Sequence, residues 1–526
     1  MKINKITIVG LLVVLLFGMT ACTEWLDVKP ESEIILDEFW KSETDVESVL
    51  ASCYRGLTED AVVYRMMVWG ELRSDNLTNG VEFHKDRLDM KRILEGDITS
   101  SNQYCSWGPF YKVINYCNTI LHYAPYVLQR DNNFTQADYQ KVKSEVLAIR
   151  ALCYFYLVRS FKEVPYITDA SINDTQDYAQ PKNTEAFVIS KIIADLDTAK
   201  IYARTDYGRK DYNKGRITRT SINAILADVY LWNEQYDKCV EACNEVMADK
   251  TLKLLPAQTT FSNVFYFKNS SESIFELQFK DDIQENNPVK ELYGKSGDPL
   301  GEVSFPAPLA YDIESKEVGP HSPFMYTVSN TVVESANDIR AKDSYESFGS
   351  VYFIFKYAGI EREENILTGY STYFRRSNTA NWILYRLSDI MLMKAEALVQ
   401  LKGESNVKKA FELLNTTYLR SNVDQDSLRM SNYTESEYEK LVLRERQREL
   451  LFEGKRWFDL VRLARRQKST SEMNDYIDHK AVGNSTSLGV PVLDAMYMPI
   501  SRGELEANPK LEQNPYYQES KSTTVK

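Results

Sequence analysis

Apolar positions recur at helical spacing along most of the chain. TDVESVLASCYRGLT (44–58), WGPFYKVINYCNTILHYA (107–124), YQKVKSEVLAIRALCYFYLVRSF (139–161) and TEAFVISKIIADLDTAKIYA (184–203) place them at i, i+3, i+4 and i+7, the spacing that lines one face of an α-helix. The texture changes over residues 256–384, where SIFELQF (273–279) and VYFIFKY (351–357) alternate faces as short strands do. Pro, Gly, Asn, Ser and scattered aromatics lie between those two runs. From about residue 471 the chain is Pro- and Asn-punctuated and reads as an extended segment on the surface.

Two stretches read as paired helices. In residues 218–249 Ala227 and Tyr230 sit on a first helix, Tyr236 opens a second, and Cys239 and Ala242 are its small contact positions. In residues 386–420 Ala395, Ala397 and Ala410 take those close-packing places. Small residues where antiparallel helices cross, with a Tyr after the turn, resemble tetratricopeptide repeats. The expected fold is therefore mainly α, a tetratricopeptide-like helical-hairpin scaffold with an inserted, loop-rich subdomain containing short strands. The expected divisions are a leader over 1–21, a helical scaffold over 22–255, the insertion over 256–384, and a helical region with its tail over 385–526. Long loops carried on a rigid scaffold are where binding residues concentrate.

The leader, MKINKITIVGLLVVLLFGMTAC, has Lys2 and Lys5, an apolar core from Ile6 to Phe17, and small residues before Cys22. That is secretory-signal design with too short a core for a comfortable membrane span. Small residues ahead of a Cys resemble a bacterial lipobox, in which Cys22 is acylated and anchors the mature chain without crossing the membrane. The net charge of −12 argues against polyanionic partners such as nucleic acid. ERQRELLFEGKRWFDLVR (445–462) nevertheless mixes five basic with four acidic residues. Glu445, Glu449 and Glu453 lie within helical reach of Arg448, Arg446 and Arg456, so the segment reads as one packed helix with a salt-bridged outer face.

Chemistry-bearing motifs are sparse. Neither Gly-x-Ser-x-Gly, nor His-Glu-x-x-His, nor a P-loop occurs, and the four histidines are far apart. Glycoside hydrolysis needs a positioned carboxylate pair, which a count of acidic residues does not test. The expectation is a non-enzymatic protein. Six cysteines remain after Cys22, without paired CxxC spacing; Cys239 and Cys243 fall i, i+4 and read as buried small side chains. DNNFTQAD (131–138) carries Asp and Asn oxygens but lacks the Gly and terminal Glu of an EF-hand, so calcium is not indicated and no cofactor is expected.

Several motifs together resemble the SusD/RagB family of outer-membrane lipoproteins from Bacteroidetes. They are ERQRELLFEGKRWFDLVR, ELRSDN (71–76), Trp107 and Tyr111 followed by Asn118, RLSDIMLMKAEAL (386–398), and the tail MYMPISRGELEANPKLEQNPYY (496–517). The tail departs at Ser501, where a second Pro is usual, and at Tyr516, where Gly is common. The resemblance implies a cell-surface, lipid-anchored protein that captures an oligosaccharide and passes it to a SusC-like TonB-dependent transporter barrel; peptide cargo, as in RagB-like lids, is the alternative. A sugar ring stacks on Trp or Tyr while Asp, Asn, Gln and Arg hold its hydroxyls. The candidate ligand residues are accordingly Trp69, Arg73, Asp75 and Asn76 on one loop, Asn102, Gln103, Tyr104 and Trp107 on a second, and Tyr293, Tyr311 and Tyr326 in the insertion. Tyr104 is expected to be exposed, Trp107 either packs or stacks, and Asp75 either caps a turn or binds sugar.

Overall fold

A computed structural model of the protein describes residues 39–77, 88–172, 176–280, 287–288, 325–328, 331–334, 338–348, 351–354, 356–357, 360–364, 371–375, 379–423, 425–478 and 489–518. The leader and Cys22 lie outside them.

The scaffold is carried by α1 (Glu43–Thr58), α2 (Asp60–Met67), α3 (Gly108–Arg130), α4 (Gln136–Phe161), α5 (Glu185–Tyr202), the short α6 (Lys210–Gly215), α7 (Arg219–Trp232), α8 (Tyr236–Met247), α9 (Leu387–Leu401), α10 (Glu404–Ser421), α11 (Glu435–Glu449) and α12 (Arg456–Gln467), with further short helices between and after them. Their starts follow local chemistry: Thr135, Thr184 and Thr218 each accept a backbone N–H from the first turn of the helix they precede. Packing is by neighbours, α1 on α3, α4 on α5, α7 on α8 and α9 on α10, and α8 also lies against α9. Ala227, Cys239, Cys243, Ala395, Ala397 and Ala410 are fully buried, as close crossings require. The tetratricopeptide-like reading thus holds, and the stretches between residues 218 and 420 join into one stack through the α8–α9 contact.

The insertion is rooted in an antiparallel pair, β1 (Ser273–Leu277) with β8 (Trp382–Arg386). Further two-stranded pairs join β2 (Met325–Val328) to β3 (Thr331–Glu334), β4 (Tyr345–Phe348) to β5 (Val351–Ile354), and β6 (Ile360–Glu364) to β7 (Ser371–Arg375). The tail is less extended than expected. It carries a short helix, Arg502–Ala507, capped by Ser501, and buries Met496, Tyr497, Met498 and Ile500.

The 445–462 segment differs from its expectation in two ways. It is not one helix: α11 ends at Glu449 and α12 begins at Arg456, because Phe452 (φ 66°) and Gly454 (φ 71°) turn the backbone left-handed between them. Nor do its charges face solvent. Glu445, Arg446, Arg448, Glu449, Glu453 and Arg456 are all buried, and apart from Arg448 with Glu445 at 3.4 Å their partners come from other elements. Arg446 pairs with Asp389 and Asp459, each at 3.0 Å. Arg456 grips Asp75 at 2.7 and 2.8 Å. Arg386 meets Glu272 at 2.8 Å, Glu449 at 2.6 Å and Glu453 at 2.8 Å. Spacing within one helix cannot reveal such tertiary pairs, and burial makes them obligatory, since an unpaired charge there is costly.

These pairs fix a pH response. Burial pushes the carboxyls of Asp389, Glu396 and Glu449 up, but the neighbouring cations, Lys455 and Arg446 at Asp389, Arg462 and Arg466 at Glu396, Arg420 and Arg386 at Glu449, overcome it and hold all three below the usual carboxylate range. A depressed folded pKa stabilises above the unfolded value and is lost as pH falls. Glu71 works in the opposite sense. Burial pushes it up to about 7 against hydrogen bonds from Asn76, Phe452 and Gly454, so its contribution is present below the ordinary value and lost as pH rises through neutrality. Thermal unfolding followed across pH 3–8 is expected to show the highest Tm near pH ~5, with the steeper loss on the acid side.

Candidate functional site

The first candidate loop lies in the interior. The Trp69 indole N–H donates to the Tyr104 carbonyl at 2.9 Å, and its ring stacks on Phe110. Arg73 donates to the carbonyls of Met496 and Ala495 at 2.7 and 2.8 Å and lies 4.1 Å over the Trp457 ring. Asp75 is held by Arg456 and accepts Gln447 Nε2 at 3.0 Å; it is neither a turn cap nor free for a ligand. Asn76 donates to Glu71 at 2.6 Å. In the second loop Asn102 caps a 3-10 turn, accepting the Tyr104 N–H at 3.0 Å. That turn folds Tyr104 inward beneath Arg65, leaving it 8% exposed where exposure was expected. Trp107 packs, edge-on to Phe161. Gln103 alone of this group is exposed. The buried seven lie among residues packed with α12 and the tail, and stacking a sugar on any of them would require opening the core. Tyr293 and Tyr311 lie outside the described residues. Tyr326 is described only through the backbone of β2, opposite Val333.

A different place has the properties of a binding site. A cavity of about 1060 Å³ opens between α6, the start of α7, the end of α8, and the turn that leads into β1. That volume reaches the upper end of small-ligand pockets. Local chemistry builds each wall. Asn213 fixes α6 to its approach, donating to Asp206 at 2.6 Å and accepting the Tyr207 N–H at 2.6 Å. Thr218 and Ser221 form a reciprocal capping box that sets the start of α7. Asp249, just past α8, accepts the hydroxyls of Thr220 and Thr251, each at 2.7 Å.

The fourth wall is strained. A π-helical stretch, Phe261–Tyr266, ends in two consecutive left-handed residues, Lys268 (φ 64°) and Asn269 (φ 50°). Non-glycine residues in that region cost energy and persist where surrounding contacts impose them. Here the contacts are the Lys268 ammonium clamped on the carbonyls of Phe279 (2.9 Å) and Thr379 (2.7 Å), with Asn269 Oδ1 accepting Gln278 Nε2 at 2.8 Å. The result is that Phe267 lines the cavity while 65% exposed, the most exposed of the protein's described Phe, Tyr and Trp side chains. Around it the side chains of Asn263, Lys210 and Lys214 engage no hydrogen-bonding or ion-pair partner among the described residues. An aromatic face beside uncommitted amide and ammonium donors can stack a sugar ring and bond its hydroxyls.

Sequence reasoning passed over these residues. RKDYNKGR (209–216) and FYFKNSS (265–271) carry no motif that marks a site. The sequence shows only a Phe followed by Lys-Asn-Ser-Ser; the exposure of its ring comes from the fold. That the two segments meet is set by the packing of α6 against β1.

Comparison with known proteins accounts for most of the chain. Residues 317–517 match the family described as "SusD family", and residues 24–231 match one described as "Starch-binding associating with outer membrane". SusD-like protein P38 of Formosa agariphila is 25% identical over 547 aligned positions, covering 98% of this chain and all of that protein. Among solved structures, surface glycan-binding protein A from Bacteroides uniformis superposes with a TM-score of 0.70 at 20% identity, covering 90% of this chain and 100% of that one. A laminarin-binding SusD-like protein does so with a TM-score of 0.66 at 22% identity, covering 91% and 100%. At these identities the structural likeness speaks to the fold.

Proposed function

The chain belongs to the SusD family, and from that premise we propose that it is a glycan-binding protein of the outer membrane, holding an oligosaccharide non-covalently in the cavity beside Phe267 and delivering it to a SusC-like TonB-dependent transporter. Two lines support the glycan: the description of the family matched at residues 24–231, and the names of two structural relatives, a surface glycan-binding protein and a laminarin-binding one. The observation that carries the site is the exposed Phe267, held out by a strained and clamped turn over a cavity rimmed with uncommitted polar groups. Cys22, acylated, would tether the mature chain to the membrane, and the helical stack would offer the transporter its contact surface. Capture then needs only stacking and hydrogen bonding, and no bond in the cargo is broken.

The test is retardation of the chain lacking residues 1–22 in native gels containing single polysaccharides, followed by calorimetry and compared with a peptide pool. Binding to a glycan is expected. Phe267→Ala should weaken it about tenfold, the equivalent of ~1.4 kcal/mol and the scale of one aromatic contact with its buried area, without moving Tm. Binding of peptides and of no glycan would replace the reading with peptide cargo, and depolymerisation of a polysaccharide would end the non-enzymatic one.

A further inference from the structure

The charges that line the cavity are unequal in how far they are already committed. Asp206 accepts Asn213 and the Gly208 N–H. Asp249 accepts two threonine hydroxyls. Glu245 pairs with Lys200 at 3.1 Å and accepts Asn223 at 3.2 Å. Of the cations, Arg209 is spent on Asp211 at 2.7 Å and Lys268 on two carbonyls. Three remain: Lys210 and Lys214, whose ammonium groups make no hydrogen bond or ion pair among the described residues, and Arg219, whose guanidinium makes only a long 3.5 Å reach to the Ile201 carbonyl among them. Asp206 and Asp249 keep their negative charge under these neutral donors, but every charged side chain of the cavity that lacks a short hydrogen bond or ion pair among the described residues is positive, in a chain whose net charge is −12.

Their arrangement is unfavourable without a partner. Lys210 and Lys214 stand i, i+4 on α6, a spacing at which like charges repel. Lys214 is half-buried, and burial pushes its ammonium down from the ordinary lysine value against the pull of Glu276 and Asp249, with Lys210 adding to the loss. A cation that is partly desolvated, unpaired and next to another gains most from an anion supplied by a ligand.

We propose that this cavity takes an anionic glycan, one bearing carboxylate or sulfate groups, with its ring on Phe267 and its charge held by Lys210, Lys214 and Arg219. The assignment rests on the glycan-binding reading above and narrows its substrate class. Lysine and arginine donate to either kind of anion, so the shared chemistry is the claim and the choice between the two is left to the probes.

The experiment is calorimetric titration of the mature chain with carboxylated probes (oligogalacturonate, oligoalginate), a sulfated one (carrageenan oligosaccharide), and neutral galactan and laminarin oligosaccharides of matched length. At least one acidic probe is expected to bind ten or more times more tightly than its neutral counterpart. That preference should shrink as NaCl rises from about 0.05 to 0.5 M, where the screening length falls to a few ångströms. Lys214→Met should reduce the acidic-to-neutral affinity ratio at least tenfold; should that variant fold poorly, Lys210→Met and Arg219→Met, both at exposed positions, should each reduce it severalfold. Neutral probes binding as tightly as acidic ones, with sensitivity to Phe267→Ala, would overturn the anionic assignment and leave the glycan reading intact. Binding of neither class would overturn both.

Discussion

Arg386→Met is expected to lower folding stability by about 3–5 kcal/mol, the cost of removing one partner from a buried charge cluster. Arg386 is 2% exposed and sits where β8 hands over to α9. Its guanidinium donates to Glu272 at 2.8 Å, to Glu449 at 2.6 Å, and to both oxygens of Glu453 at 2.9 and 2.8 Å. Lys356 covers Glu453 at 2.6 Å and Arg420 covers Glu272 at 2.9 Å as well as Glu449. Arg340 reaches Glu449 at 3.2 Å but also serves Asp338 and Glu445, so without Arg386 the remaining cations are shared among more buried carboxylates than they can pair one to one. The side chain also ties β8 to two segments distant in sequence, the lead-in to β1 at Glu272 and the α11–α12 junction at Glu449 and Glu453. The midpoint of urea unfolding should therefore fall sharply, and Arg386→Lys should rescue little, because a single ammonium cannot reproduce a planar fork that reaches three carboxylates. A midpoint unchanged by the methionine would mean that the cluster contributes nothing to holding these segments together.

The second large effect is expected at Gly70. It lies in the π-helical turn Val68–Leu72, with its backbone directly against that of Gly454. A Cβ on Gly70 would stand 1.9 Å from the Gly454 carbonyl oxygen and 2.6 Å from its carbon. Neither is the end of a side chain that can rotate away. The Gly454 backbone is itself fixed by its positive φ, by the Trp382 ring beside it, and by its N–H donating to Glu71 at 3.0 Å. Gly70→Ala must separate the two turns and break that bond. A cost of about 3 kcal/mol is expected, the upper end for overpacking a well-filled site. It should be read as a fall of several degrees in Tm with a parallel loss of the α11–α12 junction in hydrogen exchange. Alanine tolerated without change in either readout would show that the close approach is not enforced.

These two sites show which features the sequence made legible. Helical periodicity and the small residues of paired helices, Ala227, Cys239 and Ala395 among them, pointed to the hairpin stack because both signals are local. The Gly454 turn was visible as a glycine but was read through, since a continuous apolar and charged pattern masked the break between α11 and α12. The same helical spacing points the ion pairs outward, whereas the structure buries them. Glu449 has Arg446 at helical spacing in its own segment, yet its partners are Arg386, Arg420 and Arg340, which only tertiary folding brings near. Trp69, Arg73, Asp75 and Tyr104 looked like a ligand face because aromatic and polar residues mixed on loops are what a sugar site needs. The same mixture also serves a buried junction between loop, helix and tail. Phe267 and Lys214 were not found because their significance lies in exposure and in missing partners, and neither property is written in residue spacing.

The proposed glycan site beside Phe267 stands or falls on where the sugar sits. The most direct measurement is a crystal structure of the mature chain with whichever oligosaccharide the gels retain. A sugar ring is expected against the Phe267 face at about 4 Å, the ordinary contact distance between carbons, with Asn263 and Lys214 on its hydroxyl or acidic groups. A sugar ordered on another face, with the cavity between α6, α7 and the β1 turn holding only water, would contradict it.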